Sequence, residues 1–134
     1  MASLRKDIRL GVAPPEAWAA LRDFGAVHQR VVPGFVTDAA LDGDDRIVTF
    51  ATGVVVRERL VALDDERRRL VYTVVESSLG FEHHQASVEV LEPAPGTGGC
   101  SVVWITDLLP EEVAPSVEAF MDQGAAAMAR RLAG

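Results

Sequence analysis

The chain has 134 residues, 49% of them hydrophobic and 25% charged, with a formal net charge of −7. A chain of this length suits a single domain spanning residues 1–134 that buries roughly two-thirds of its unfolded surface, and the composition excludes intrinsic disorder. With 20 acidic against 13 basic residues and no concentrated basic face, nucleic acid is not an expected partner, because affinity for it comes from neutralising phosphates with cations.

Residues Leu4 to Val12 alternate loosely, with Ile8, Leu10 and Val12 on one face, which predicts a half-buried strand. Ala13-Pro14-Pro15-Glu16 stops it, and proline suits the first turn of a helix because its missing N–H costs nothing there. A short helix over Ala17–Leu21 follows, with Trp18 and Leu21 on one face. Asp23-Phe24-Gly25 breaks it, a second short helix runs to about Arg30, and Pro33-Gly34 turns the chain.

Six strands are predicted next: Phe35–Leu41, Arg46–Thr52, Val54–Leu63, Leu70–Glu76, His83–Leu91 and Ser101–Leu108. Asp42-Gly43-Asp44-Asp45 has the residue types that tight turns require. Arg67-Arg68-Arg69 directly follows Asp64-Asp65-Glu66 and reads as a solvated turn rather than a phosphate site. Regular spacing with tight connections predicts an antiparallel meander. Pro110-Glu111-Glu112 opens a long final helix with its acids at the positive end of the helix dipole. Its apolar stripe is Val113, Val117, Phe120, Met121, Gly124, Met128 and Leu132, and Arg130 and Arg131 occupy the last turn.

Cys100 is the only cysteine, so no internal disulfide is possible. That fits a reducing compartment, and with no activating neighbour in sequence Cys100 is expected to be a small buried residue. Residues Met1 to Asp7 lack the long apolar segment of a signal peptide, and no run of 18 apolar residues occurs, so a cytoplasmic protein without a membrane span is expected.

Three stretches carry a family resemblance. They are Ala13-Pro14-Pro15-Glu16-Ala17-Trp18 with Leu21-Arg22-Asp23-Phe24, Arg57-Glu58-Arg59-Leu60 with Leu63-Asp64-Asp65-Glu66-Arg67, and Val102-Val103-Trp104 leading through Asp107-Leu108-Leu109-Pro110 into the last helix. In this order they resemble the START and birch-pollen-allergen superfamily, the SRPBCC proteins, of the polyketide cyclase/dehydrase-like type. The resemblance implies an α+β helix-grip fold: a seven-stranded curved antiparallel sheet wrapped around a long C-terminal helix, with two short helices after the first strand and a cavity between sheet and helix. It implies no single activity, since the superfamily includes carriers, hormone receptors, cyclases and chaperone regulators.

Strand parity predicts the cavity wall. His84, Ala86 and Val88 are expected inside, because His83, Gln85, Ser87 and Glu89 form a polar set. The resemblance places His84 where related receptors carry a ligand-contacting tyrosine; a satisfied structural histidine is the alternative. Glu58 and Leu60 share a face, and the resemblance turns Glu58 towards the cavity, the alternative being an ion pair with an arginine such as Arg46. Tyr72, Val74 and Glu76 share a face, with Tyr72 where relatives place a cavity aromatic. Val103, Ile105 and Asp107 are expected inside by the same parity, which puts Trp104 outside. Val117, Met121, Ala125 and Met128 close the space from the helix, although an ordinary core stripe would show the same spacing. Phe24 and His28 lie beneath, His28 either reaching inside or staying at the surface.

No zinc-ligand set, phosphate-cradling glycine loop or Gly-x-Ser-x-Gly motif occurs. His83 and His84 are adjacent on a strand and point to opposite faces, so they do not form a metal pair. No metal and no cofactor is expected. The leading reading is binding or carriage of a small hydrophobic ligand by a monomer or homodimer. The alternatives are a cyclase/dehydratase-like enzyme, with His84, Glu58 or Tyr72 steering proton transfer, and a protein-interaction module of the chaperone-regulator kind.

Overall fold

A computed structural model describes residues Met1–Gly134. Strand β1 is Ala2–Leu10, followed by helix α1 (Pro14–Arg22), a 3-10 turn (Phe24–Ala26) and helix α2 (Val27–Arg30). Strands β2 (Val36–Asp42), β3 (Asp45–Phe50), β4 (Val55–Asp64), β5 (Arg69–Glu76), β6 (His83–Leu91) and β7 (Cys100–Leu109) come next, and a 3-10 turn (Glu111–Val113) leads into helix α3 (Ala114–Arg131). The strands form one antiparallel sheet in the order β1-β7-β6-β5-β4-β3-β2. This is the helix-grip architecture. The element order matches the sequence expectation, with most boundaries displaced by one or two residues.

Local chemistry sets the connections. Asp42 pairs with Asp45 across a two-residue turn in which Gly43 takes φ +63°, a conformation that glycine adopts without strain. In the β4–β5 turn the Asp64 carboxylate accepts from the backbone N–H groups of Glu66 and Arg67, both at 3.1 Å. Register shifts leave one extra residue in each of three strands: Thr37 in β2, Val61 in β4 and Val75 in β5. Extra residues of this kind bend a strand and increase its twist. The basic run is tied down by acids: Arg67 reaches Glu89 at 3.5 Å and Arg68 reaches Glu92 at 2.7 Å.

Helix α3 is anchored along its length. Lys6 on β1 meets Asp122 at 2.7 Å, Arg131 Nε donates to the Gln29 carbonyl at 3.1 Å, and the Gly11 N–H donates to the Leu132 carbonyl at 2.9 Å. Gly124 sits where a Cβ would lie 3.1 Å from both the Phe35 and Trp104 rings. Its missing side chain lets both rings approach the helix backbone. Helix α1 is pinned to the β4–β5 turn by Asp65, which accepts from Trp18 Nε1 at 2.8 Å and Arg22 Nε at 2.9 Å.

The buried hydrophobic residues do not form one continuous body. A main cluster joins β1, α1, the inner faces of β5 to β7 and the C-terminal part of α3. A separate one holds only Leu108, Val117 and Met121, and Trp104 packs against both. Cys100 is fully buried, and burial raises its thiol pKa, so it behaves as a small core residue. No helix is long and apolar enough to cross a membrane.

Candidate functional site

Between the sheet and α3 lies a cavity of about 190 Å³. Hydrophobic residues supply 21 of its 27 lining positions, which makes the wall predominantly apolar. An apolar cavity of about 150 Å³ stays dry and admits benzene, so this one has room for a ring with a small substituent.

The polar groups of the wall come from neighbouring rows of the sheet. In one row, Arg46 on β3 stands opposite Glu58 on β4, and Glu58 opposite Val74 on β5. His84 on β6 completes the row, because its Nδ1 accepts a hydrogen bond from the Val74 N–H at 3.0 Å. The regular β5–β6 pairing ends one step earlier, at Tyr72 and Ala86. Beyond that point the strands separate: the imidazole takes the Val74 N–H, and the Thr73 hydroxyl donates to the His84 carbonyl. A side chain thus replaces a ladder bond, and no backbone donor is lost.

The His84 imidazole is neutral at ordinary pH. Desolvation by burial, followed by the nearby His83, pushes its pKa down to about 4. With Nδ1 accepting, the ring hydrogen sits on Nε2. Its ring centroid is 5.0 Å from Phe81 and 6.1 Å from Tyr72.

Tyr72 occupies the next row, with Ala86 and Thr106 in register beside it. Its phenolic oxygen accepts from Trp104 Nε1 at 3.2 Å. Burial raises its pKa well above the ordinary value, and the Glu58 charge adds to the rise. The phenol therefore stays protonated.

Arg46 and Glu58 form a buried ion pair, with Nε to Oε1 at 2.8 Å. Arg46 Nη1 also donates to the Phe24 carbonyl at 3.2 Å, and the guanidinium lies 3.8 Å over the Phe24 ring and 5.2 Å from that of Tyr72. Both charges line the cavity, each matched by the other. The sequence pattern left this pair as the alternative to a free cavity carboxylate; it exists, and it is buried.

At another part of the wall three phenylalanines meet. Phe35, Phe50 and Phe120 have pairwise centroid distances of 5.1, 6.0 and 5.2 Å, all edge-to-face. They bring the β2 and β3 ends of the sheet against α3.

Of the residues expected at the wall, Glu58, Tyr72, Val74, His84, Val88, Val117, Met121 and Met128 line the cavity. The β7 assignment needs correcting. Trp104 and Thr106 line the cavity, whereas Val103, Ile105 and Asp107 do not. The register pairs Val88 with Trp104 and Ala86 with Thr106, so even-numbered residues of both strands share the concave face. Six further expectations miss the wall. Glu76 has an 80% exposed side chain and approaches Arg57 at 3.9 Å. Leu60 and Ala125 pack against the main core cluster instead. Ala86 is buried on the concave face between Tyr72 and Thr106, too short to reach the gap. Phe24 lies behind Arg46 as its stacking partner. His28 is half-buried on α2, with a sealed Nδ1 that has no hydrogen-bond partner.

Sequence reasoning missed Trp104, Thr106 and the three phenylalanines. The available signal was the β6–β7 hairpin: once even positions are inside on β6, its register fixes the parity of β7. No group of three or more His, Cys, Asp or Glu side chains is arranged to hold a metal ion.

Solved structures share this fold. The Bacillus cereus protein XoxI superposes with a TM-score of 0.86 at 17% identity, covering 98% of this chain and 96% of that one. A solution structure from Thermobifida fusca has a TM-score of 0.78 at 29% identity, covering 99% and 91%. Norcoclaurine synthase from Thalictrum flavum, solved with dopamine and hydroxybenzaldehyde, has a TM-score of 0.71 at 18% identity, covering 98% and 84%. Residues 1–133 match the family described as polyketide cyclase / dehydrase and lipid transport, and with the helix-grip fold and the apolar cavity now described, the chain belongs to that family.

Proposed function

We propose that this protein binds or carries a small, uncharged, mainly hydrophobic ligand in the cavity between the sheet and α3. The observation that carries the reading is the unfilled gap itself: about 190 Å³, lined mostly by hydrocarbon and aromatic surface. Such a site favours any apolar guest that fits, because each buried Å² of apolar surface is worth roughly 25 cal/mol. Cavities for drug-sized ligands run to about 300–1,000 Å³. This one is smaller, which points to a guest of one ring, or a ring with a short side chain.

Binding is favoured over acid–base catalysis by how the polar groups are engaged. A general base needs a free lone pair aimed at its proton. The Nδ1 lone pair of His84 is occupied by Val74, and the Glu58 charge is held by Arg46. Native mass spectrometry of protein purified from its own host tests the proposal directly, with a co-purifying hydrophobic molecule as the expected result. Titration with toluene or indole, followed by calorimetry, gives an independent check. Failure of every such guest to perturb the protein up to its solubility limit would reject the reading.

A further inference from the structure

Two neighbouring donors of the wall lack a protein acceptor, and they restrict the guest. Trp104 Nε1 can only donate, and it donates to the Tyr72 oxygen at 3.2 Å. The phenolic hydrogen must then point elsewhere, and no protein acceptor receives it. His84 is in the parallel situation. Its Nδ1 accepts from Val74, which leaves a hydrogen on Nε2 with no protein partner. The only side-chain polar atom sealed from both a partner and open space is Nδ1 of His28. His84 Nε2 therefore borders open space, and the space beside this ring is the cavity. The two rings are neighbours, with centroids 6.1 Å apart.

The charged groups of the wall are matched to each other, with Glu58 Oε1 held by Arg46 Nε at 2.8 Å. The Ser77, Ser78 and Thr106 hydroxyls also line the cavity, and a hydroxyl can serve as donor or acceptor. A cationic guest would have to compete with that arginine, and an anionic one would have to displace the glutamate. A neutral guest disturbs neither.

We propose that the ligand is a neutral carbonyl compound, its ring or short chain in the apolar part of the cavity and its carbonyl oxygen accepting from Tyr72 O–H and His84 Nε2–H. The inference rests on the reading that the cavity takes a hydrophobic guest, and it adds the functional group. An unpaired donor in an apolar wall is unfavourable, so a guest that supplies the missing acceptor gains over a hydrocarbon of the same shape. Tyr72 and His84 act here as specificity-determining residues.

The test uses the intact protein and a matched pair of probes, acetophenone and ethylbenzene, in calorimetric titrations. Acetophenone is expected to bind about tenfold more tightly, the yield of one good net hydrogen bond. The infrared carbonyl stretch of bound acetophenone should fall below its frequency in hexane. Tyr72→Phe combined with Trp104→Phe, and separately His84→Leu, should each shrink the preference and move the stretch back towards the hexane value; the tryptophan is replaced too because Tyr72→Phe alone would free its N–H as a substitute donor. Equal affinity for the two probes, or a hexane-like stretch in the wild-type complex, overturns the proposal and leaves the hydrophobic-cavity reading standing. If neither probe binds at its solubility limit, that reading falls and the proposal with it. The probe comparison on the wild type is decisive by itself, so a variant that fails to fold leaves the test intact.

Discussion

The imidazole of His84 accepts the backbone N–H of Val74 at 3.0 Å, so a side chain continues the β5–β6 pairing where the ladder stops. Protonating that nitrogen would break the bond and place a charge against an apolar wall. The consequence for stability has a definite sign. Unfolded His84 takes up its proton as pH falls through the ordinary value of 6.5, whereas the folded form resists until about 4. Its neutral state therefore contributes fully above pH 6.5, and that contribution is lost between 6.5 and 4. At 1.36 kcal/mol per tenfold change in proton affinity, the loss is up to about 3 kcal/mol. Urea denaturation of wild type across this range should show the slope. His84→Asn, which keeps an acceptor near Val74 but does not titrate, should flatten it. Asp45, whose pKa is held below 3.8 chiefly by the Arg59 hydrogen bond, gives way only at lower pH, so the two windows separate.

The Arg46–Glu58 pair predicts strongly non-additive mutations. Glu58→Ala leaves a buried guanidinium without its counter-charge and should cost about 3–5 kcal/mol, as breaking buried pairs does. Replacing both residues by hydrophobic ones of similar volume, Arg46→Met with Glu58→Leu, should recover most of that loss. Chemical denaturation of Arg46→Met, Glu58→Leu and the double variant completes the cycle. Simple additivity would contradict the pairing.

Gly124→Ala should separate stability from binding. A Cβ there would sit 3.1 Å from the Phe35 and Trp104 rings, which must move by a few tenths of an ångström. Both rings border the cavity, so they have space to retreat into. The gain in helix propensity, about 1 kcal/mol, then offsets the crowding. Thermal melts should show a Tm unchanged or slightly raised, while the affinity for a small aromatic guest falls. A large drop in Tm would mean that the rings cannot yield.

Val88→Phe should fill the site from the sheet side. Val88 is buried, lines the cavity, and stands in register between Leu70 and Trp104. The added ring should occupy the guest's space at a cost of about 1–3 kcal/mol. The expected result is a folded protein, by circular dichroism, whose calorimetric response to toluene is abolished. Retained binding would place the guest elsewhere.

The strands and their order were legible because turn chemistry punctuates them. Asp42-Gly43-Asp44-Asp45 and Asp64 to Arg68 announce hairpins by residue type alone, and the alternation on β6 separates its two faces cleanly. Parity failed on β7 because that strand is apolar on both sides. Val102 and Val103 are both buried although they face opposite ways, the outer one flanked in register by Asp7 and Glu89. When neither face is polar, alternation carries no signal, and only the partner strand's register decides. The aromatic cluster was unreadable for another reason. Phe35 in the turn before β2, Phe50 at the end of β3 and Phe120 in α3 are far apart in sequence, and no local pattern joins them before the chain folds. The engagement of His84 Nδ1 by Val74 depends on where a ladder ends, which residue type alone does not encode.

Strand β1 pairs along its whole length with β7, from Ala2 against Leu108 to Leu10 against Cys100. On a translating ribosome, nine residues of exposed strand edge must therefore wait for the seventh strand to be made. Until then the nascent sheet lacks one margin, and Ile8 and Leu10, both buried at the end, stay wet. Long-range pairing of this kind slows folding and lengthens exposure to aggregation. A molecule that occupies the finished interior does so only after both β1 and β7 have been made.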